Sequence, residues 1–300
     1  MSSIKKIALI GKGQLGTAIL DQLLKAGFDV SVFSRSKQDA PPGATAVQVD
    51  YSSIESLSTA LKGHDAVVST VGAAAIPGQK TIIDAAILAG VKRFIPSDFA
   101  SVTNDPKAKD VPIFQPALQI KDYLIQKAQA GKIEYTIFAT GPILEYTFGW
   151  PLFVNYHNRS VQVHGDGNVR ISATSIAGIG KAVAGSLRKP EQTKNRVVHV
   201  HEAIVSQAKI LDIAKKAAPE GSGWTETTID PLEALQTATD KFLENPTDVF
   251  AGIGLIKAVV LSGKYDTDYT EVDNELFGLS VLSDEELEKN YVPLLTKKPE

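Results

Sequence analysis

The sequence predicts an α/β fold: a doubly wound parallel sheet with helices on both faces, followed by a smaller C-terminal lobe. Three observations predict it. Short β-branched runs alternate with amphipathic helical patterns through the first half, the order expected of βαβ units. A glycine-rich turn joins the first run to the first helical pattern. After about residue 145 the alternation gives way to aromatic clusters, short strands and late helices.

The elements follow in order. "KIALIG" opens as a strand, and "QLGTAILDQLLKAG" continues as an amphipathic helix closed by Gly27. "VSVFSR" is the next strand, and "TAVQVD" follows the Pro41-Pro42-Gly43 turn. "SIESLSTALKG" starts a helix on Ser53, with Glu55 and Ser56 in its first turn. "AVVSTVG", the helix "GQKTIIDAAILAGV", the strand "RFIPSD", a helix over 116–129 and the strand "EYTIFAT" complete the alternation. The stretch 100–116 is rich in Asp, Lys and Pro and has no periodicity. It reads either as a lid or binding loop or as a mobile surface insertion. Further on, "SVQVHGDGNVRISAT" reads as a hairpin turning at Asp166-Gly167, and helices are expected over 207–218, 232–243 and 247–262. The expected division is 1–145 for the nucleotide-type domain and 146–300 for the lobe, with some lobe segments returning to the sheet.

Composition narrows the classes. The chain has 300 residues, 43% apolar and 22% charged, as in ordinary globular proteins. A net charge of −3 and the absence of a basic stripe argue against nucleic acid as a partner. With no cysteine, disulfides, thiolate metal sites and cysteine nucleophiles are excluded. The N-terminal apolar run is too short for a signal peptide. The longest apolar stretch, Val249 to Gly263, contains Lys257 and falls short of the ~20 residues of a membrane span, so it reads as a core helix. The expected location is cytoplasmic, without membrane association, and a homodimer is left open.

"LIGKGQLG" supplies Gly11, Gly13 and Gly16 in G-x-G-x-x-G spacing between a strand and a helix, the context of the Rossmann dinucleotide fingerprint. Gly11 permits the tight turn, Gly13 the approach of a pyrophosphate, and Gly16 close packing of the helix. Backbone N–H groups at the helix start, around Gln14 and Leu15, then face the phosphates. Lys12 either adds charge there or points to water. An NAD site would place an acid about 20 residues on. This chain instead has "FSRSK", with Arg35 and Lys37 and no carboxylate until Asp39. A guanidinium there suits the 2′-phosphate of NADP, so NADPH/NADP is the expected cofactor.

Together with that turn, "SR" after the second strand, "LKGHDAVVSTVG" (61–72), "AAILAGVKRFIPSDF" (85–99), a lysine-bearing helix and "EYTIF" (134–138) carry a resemblance. The chain resembles the NmrA-like branch of the atypical short-chain dehydrogenases. Within that branch it is most similar to the isoflavone reductase group, with its phenylcoumaran benzylic ether and pinoresinol-lariciresinol reductases and their fungal isoflavone-reductase-like members. The resemblance spans 4–145 well and loosens afterwards, where "HGDGNVRISATSIAGIG" is still similar to a family segment. It implies that Val71, Gly72, Ser97 and Phe99 border the coenzyme and that a helix lysine a dozen residues before "I-x-Y-T" is the general acid/base. Counting back from Ile133-Glu134-Tyr135-Thr136 gives Lys121. The chain departs from the family in its shorter glycine turn and in Asp98 and Ala100, which stand where the family has Glu and Gly.

Lys121 is also anomalous on its own helix. At about 100° per residue, Ala117, Ile120, Leu124, Ile125 and Ala128 form one apolar stripe, and Lys121 lies inside it. A snorkelling stem is the plain alternative. The pair Tyr123 and Lys127 matches the Tyr-x-x-x-Lys pattern but lies off the stripe, with Tyr123 about 200° from Lys121. Ser97 reads equally as a hydrogen-bond partner for a ligand or as a strand-end cap. Tyr146, Phe148, Trp150 and Phe153 read equally as a substrate pocket or as core between the lobes. His199 and His201 could share a strand face as metal ligands, but no third ligand is evident and they are read as surface residues with no metal. "GIGK" (178–181) reads as close helix packing.

The expected function is an NADPH-dependent reductase passing hydride to an apolar, aromatic or phenolic small molecule. The alternatives are a non-catalytic NADP(H)-sensing regulator of the NmrA type and a quinone reductase.

Overall fold

The computed structural model describes residues 4–100 and 102–297. In chain order they form β1 (Lys6–Ile10), α1 (Gln14–Lys25), β2 (Asp29–Ser34), β3 (Thr45–Gln48), α2 (Ile54–Leu61), β4 (Ala66–Ser69), α3 (Gln79–Leu88), β5 (Arg93–Ile95) and β6 (Phe99–Ala100). Next come α4 (Gln115–Gln129), β7 (Glu134–Ala139), α5 (Leu144–Gly149), β8 (Ser160–His164), β9 (Ile171–Ala173), α6 (Ile176–Arg188), α7 (Pro190–Thr193), β10 (Arg196–His199) and β11 (Ala203–Val205). The chain ends with α8 (Gln207–Ala217), β12 (Thr225–Ile229), α9 (Pro231–Glu244), α10 (Val249–Leu261), α11 (Asn274–Phe277) and α12 (Asp284–Thr296).

The main sheet runs β10-β7-β5-β4-β1-β2-β3, with β6 also on β7. Every pair in it is parallel. Strands covered on both faces must be apolar on both, and β1 and β4 are such runs. Alternation along β1 then sorts its side chains. Ile7 and Leu9 join Ile19 and Leu23 of α1 and Ile179 and Val183 of α6 on one face. Ala8 and Ile10 join Leu57 of α2, Ile82 of α3 and Leu124 of α4 on the other. The strand ends with Gly11, Val71 and Ser97 share the carboxyl edge, where open α/β sheets bind ligands.

The lobe has its own core around Phe148, Phe153, Ile171, Ile210 and Tyr291. Two segments from beyond residue 145 belong to the main sheet's layers: β10 extends it, and α6 packs on α1, where a Cβ on Gly180 would stand 2.9 Å from the Ala18 carbonyl oxygen. That is the close packing read from "GIGK".

Two expectations change. The hairpin at Asp166-Gly167 does not exist: β8 pairs parallel with β12, and β9 pairs antiparallel with β11. Gly165 (φ 62°) and Gly167 (φ 72°) both adopt the left-handed conformation and redirect the chain instead of folding it back. The 100–116 stretch is not a loose insertion. It forms two 3₁₀ turns, Pro106–Asp110 and Pro112–Phe114, and buries Val102, Ala108, Val111 and Phe114 against α9 and α10.

Candidate active site

The glycine turn is built by contacts a side chain would forbid. Gly11 has φ 96°, and a Cβ there would stand 2.7 Å from the Thr70 carbonyl oxygen. A Cβ on Gly16 would stand 2.4 Å from the Gly11 carbonyl oxygen, which ties α1 to the turn. Thr70, not singled out from sequence, pins the turn by donating to the carbonyls of Ile10 (3.1 Å) and Gly11 (2.9 Å). Gly13 differs: its Cβ position opens onto space with nothing within 4 Å. Gly13 also caps α1 with no side-chain hydrogen bond, and no acid lies in the first turn, so the helix-start N–H groups are left for an outside acceptor.

Beside this turn lies a cavity of about 440 Å³. Gly11, Lys12, Gly13, Arg35, Val71 and Gly72 all line it. Lys37 is exposed and does not line it, whereas Gln38 and Tyr51 do. The Tyr51 hydroxyl donates to the Phe33 carbonyl at 2.7 Å. Burial lifts its pKa to about 12 against the pull of Arg35, so it remains a phenol. Tyr51 follows a strand the sequence did not connect to the cavity. Uncapped helix N–H groups, open space over Gly13 and a guanidinium at the rim fit a phosphorylated dinucleotide.

A chain of contacts leads from the cavity to Lys121. The Ser97 hydroxyl donates to the Val71 carbonyl (2.8 Å), and the Ser97 N–H donates to Gln79 Oε1 (2.7 Å). The next residue, Asp98, is buried and accepts from the Thr103 hydroxyl at 2.9 Å. Lys121 Nζ donates to the Thr103 carbonyl (2.8 Å) and to Asn104 Oδ1 (3.1 Å). The lysine is half-buried on α4, and two of its three N–H donors are used. Burial pushes the Asp98 pKa up to about 6, moderated by the Thr103 hydrogen bond and the positive charge of Lys121. Phe99 stacks on Phe138 at 6.0 Å. The segment 102–104 thus serves to hold the lysine. Its lack of periodicity concealed this.

Tyr123 and Lys127 lie elsewhere. Tyr123 hydrogen-bonds Asp84 of α3, Lys127 Nζ lies 3.6 Å from the same carboxylate, and Lys127 also covers the Tyr123 ring. The pair is a link between two helices. The four aromatics divide. Phe148 and Phe153 are buried in the lobe core, so packing accounts for them. Tyr146 and Trp150 stack at 4.8 Å, and the Tyr146 hydroxyl donates to Gln14 of the glycine turn at 2.7 Å. Leu15 packs against the main core. The histidines read as surface residues are not: His201 is buried and shares a 2.9 Å hydrogen bond with Ser172, and half-buried His199 packs edge-on against Tyr269. A strand-like pattern gave no sign of Tyr269, Asp273 and Asn274, which meet them from some seventy residues on.

Fold and turn together define a Rossmann-type α/β protein with a dinucleotide-shaped carboxyl edge. The model of the NmrA-like family matches residues 3–259, and the chain belongs to that family. It is 33% identical over 296 residues to the oxidoreductase aprR of Aspergillus flavus, covering 95% of this chain and 97% of that protein. It is 26% identical to phenylcoumaran benzylic ether reductase Betv6 of Betula pendula, covering 92% and 91%. Among solved structures, AtPrR2 with NADP+ and (+)pinoresinol superposes with a TM-score of 0.76 at 21% identity, covering 98% of this chain and all of that one. Isoflavone reductase gives 0.75 at 20% identity, covering 96% and 99%. Among the described residues, no helix is long and apolar enough to cross a membrane.

Proposed function

We propose that this chain is an NADPH-dependent oxidoreductase that reduces an apolar, aromatic or phenolic small molecule, with Lys121 as its general acid/base. NADPH, when bound, supplies the hydride. The α1 N–H groups and the glycine turn bind its phosphates, and Arg35 binds the 2′-phosphate that separates NADP from NAD. Lys12 adds positive charge at the same rim. Val71, Gly72 and Ser97 border the coenzyme, with Phe99 next to them.

The observation that carries the reading is the path Val71–Ser97–Asp98–Thr103–Lys121, which ties the floor of the coenzyme cavity to one amine. Two hydrogen bonds hold that amine in place, and its third N–H is free to exchange a proton with a substrate oxygen. Thr103 and Asn104 orient the lysine, while Tyr146 and Trp150 border the space on the lobe side. Aromatic acceptors are favoured because named relatives include phenylcoumaran benzylic ether reductase and an isoflavone reductase homolog.

The test is NADPH oxidation over a panel of enones, quinones and benzylic ethers. With any substrate found, Lys121→Met is expected to lower kcat by about 10²–10⁴ with NADPH affinity unchanged, because the lysine handles a proton and not the coenzyme. Parental turnover in the Met variant would remove Lys121 from the mechanism. If no acceptor is reduced, the dinucleotide-sensing reading replaces this one.

A further inference from the structure

The lobe contains a groove of about 560 Å³ between α9, α10 and the β8–β12 pair, within the size range of small-molecule sites. Helix α10 separates it from the segment that holds Lys121. Gly252 approaches Ile113 and Leu255 packs with Phe114, whereas Ala251, Gly254 and Lys257 face the groove. A smaller pocket of about 240 Å³ lies beside the groove, with Gln162 and Lys257 lining both. Pro151 and Phe153 line that second pocket. Pro151 follows Trp150, which stacks on Tyr146, which hydrogen-bonds Gln14 of the glycine turn. These contacts link the coenzyme turn to the wall of the smaller pocket.

Its walls mix apolar residues, Ile229, Ala234, Ala258 and the 83%-exposed Phe250 at the lip, with the charged Lys241, Glu244 and Asp248. An aromatic ring left so open at a cavity mouth has a use if a ligand covers it. Lys241, Glu244 and Asp248 are exposed, and Lys257 is the charged side chain set back into the wall. It is half-buried, burial lowers its pKa, and no carboxylate among the described residues lies within ion-pair distance of it. The Asp248 carboxylate on the rim is occupied, accepting from the Phe250 N–H at 2.8 Å. His164 beside it is held near pKa 4 by burial and by the lysine's charge, so it is neutral and leaves Lys257 and the exposed Lys241 as the groove's cations. An ammonium partly removed from water without a counter-ion costs free energy that an incoming anion returns.

We infer that this groove binds an aromatic small molecule bearing an anionic group, a carboxylate or acidic phenol, paired with Lys257. That such a ligand binds there does not rest on the reductase reading.

The probes are 2-naphthoate and its uncharged counterpart 2-naphthamide, titrated by fluorescence into NADPH-saturated protein so that the coenzyme cleft is filled. Naphthoate is expected to bind at least about tenfold tighter, a typical effect of one charge-assisted hydrogen bond. Lys257→Met, which keeps the stem and removes the charge, abolishes that preference by weakening naphthoate alone, and Lys257→Arg retains it. Gly254→Leu, growing into open space, weakens both probes. Equal affinity for the two probes, or an undiminished preference in Lys257→Met, overturns the inference. Naphthoate preference without NADPH oxidation of any acceptor sinks the reductase reading and leaves the acid site standing.

Discussion

Asp98 has almost no solvent to share its charge with. It is 6% exposed, one oxygen accepts from Thr103, and the other has no partner. Burial raises its pKa from 3.8 to about 6. A carboxyl whose pKa is higher folded than unfolded stabilises the protein below its unfolded pKa, and that contribution is lost as pH rises through the folded value. The window here is pH 4 to 6, and the full cost above it is about 3 kcal/mol, at ~1.4 kcal/mol per unit. Asp98→Asn keeps the acceptor for Thr103 and removes the charge. It is expected to raise Tm by several degrees at pH 8 and to change it little at pH 4. A Tm difference that does not vary with pH would reject the argument. At this scale Lys121 was legible because a helix has a period and the lysine breaks it. Asp98 could be seen only as a departure from a family pattern. Thr103 and Asn104 could not be seen, since an aperiodic segment does not reveal which of its groups turn inward.

Among elements, β5 shows how a distant segment rewrites a local reading. "RFIPSD" reads as a strand with nothing to tell where its arginine points, and Arg93 is completely buried. Its guanidinium donates to Thr136 Oγ1 (2.9 Å), Glu134 Oε2 (2.8 Å) and the Pro190 carbonyl (2.9 Å). It thereby joins β5, β7 and the start of α7. Arg93→Ala leaves those acceptors facing a void, so a loss of about 3–5 kcal/mol is expected, read as a lower midpoint in urea unfolding. A cost below ~1 kcal/mol would mean that the cluster is solvated and weak. Likewise, Ser53 does cap α2, accepting from the Ser56 N–H, because a cap is local chemistry. The false hairpin failed because strand pairing is decided by partners, not by the turn: β8 found β12, some sixty residues on.

For the whole molecule, the sheet domain is not closed by the first half of the chain. β10 forms its edge beyond β7, and Ile179, Val183, Leu187 and Val198 sit in the same core as Ile7 and Ile19. Gly141 marks the crossing, with φ 65° and a Cβ position 1.7 Å from the Ser172 carbonyl oxygen, so no side chain fits where β7 meets the lobe. A fragment of residues 1–145 is therefore expected to show no cooperative thermal transition by circular dichroism, because one face of its sheet lacks α6. A sharp transition in that fragment would mean that the first half folds alone.

The sequence by itself determined the alternating elements, the coenzyme turn and the lysine-bearing face of α4. Each of these is fixed by a period or by a backbone conformation that neighbouring residues impose. Tertiary structure alone decided that Asp98 and Arg93 are buried, that two of four aromatics serve the core, and that Lys257 faces a groove without a counter-ion. Burial and pairing depend on segments tens to more than a hundred residues away, and no local pattern encodes which of them arrive.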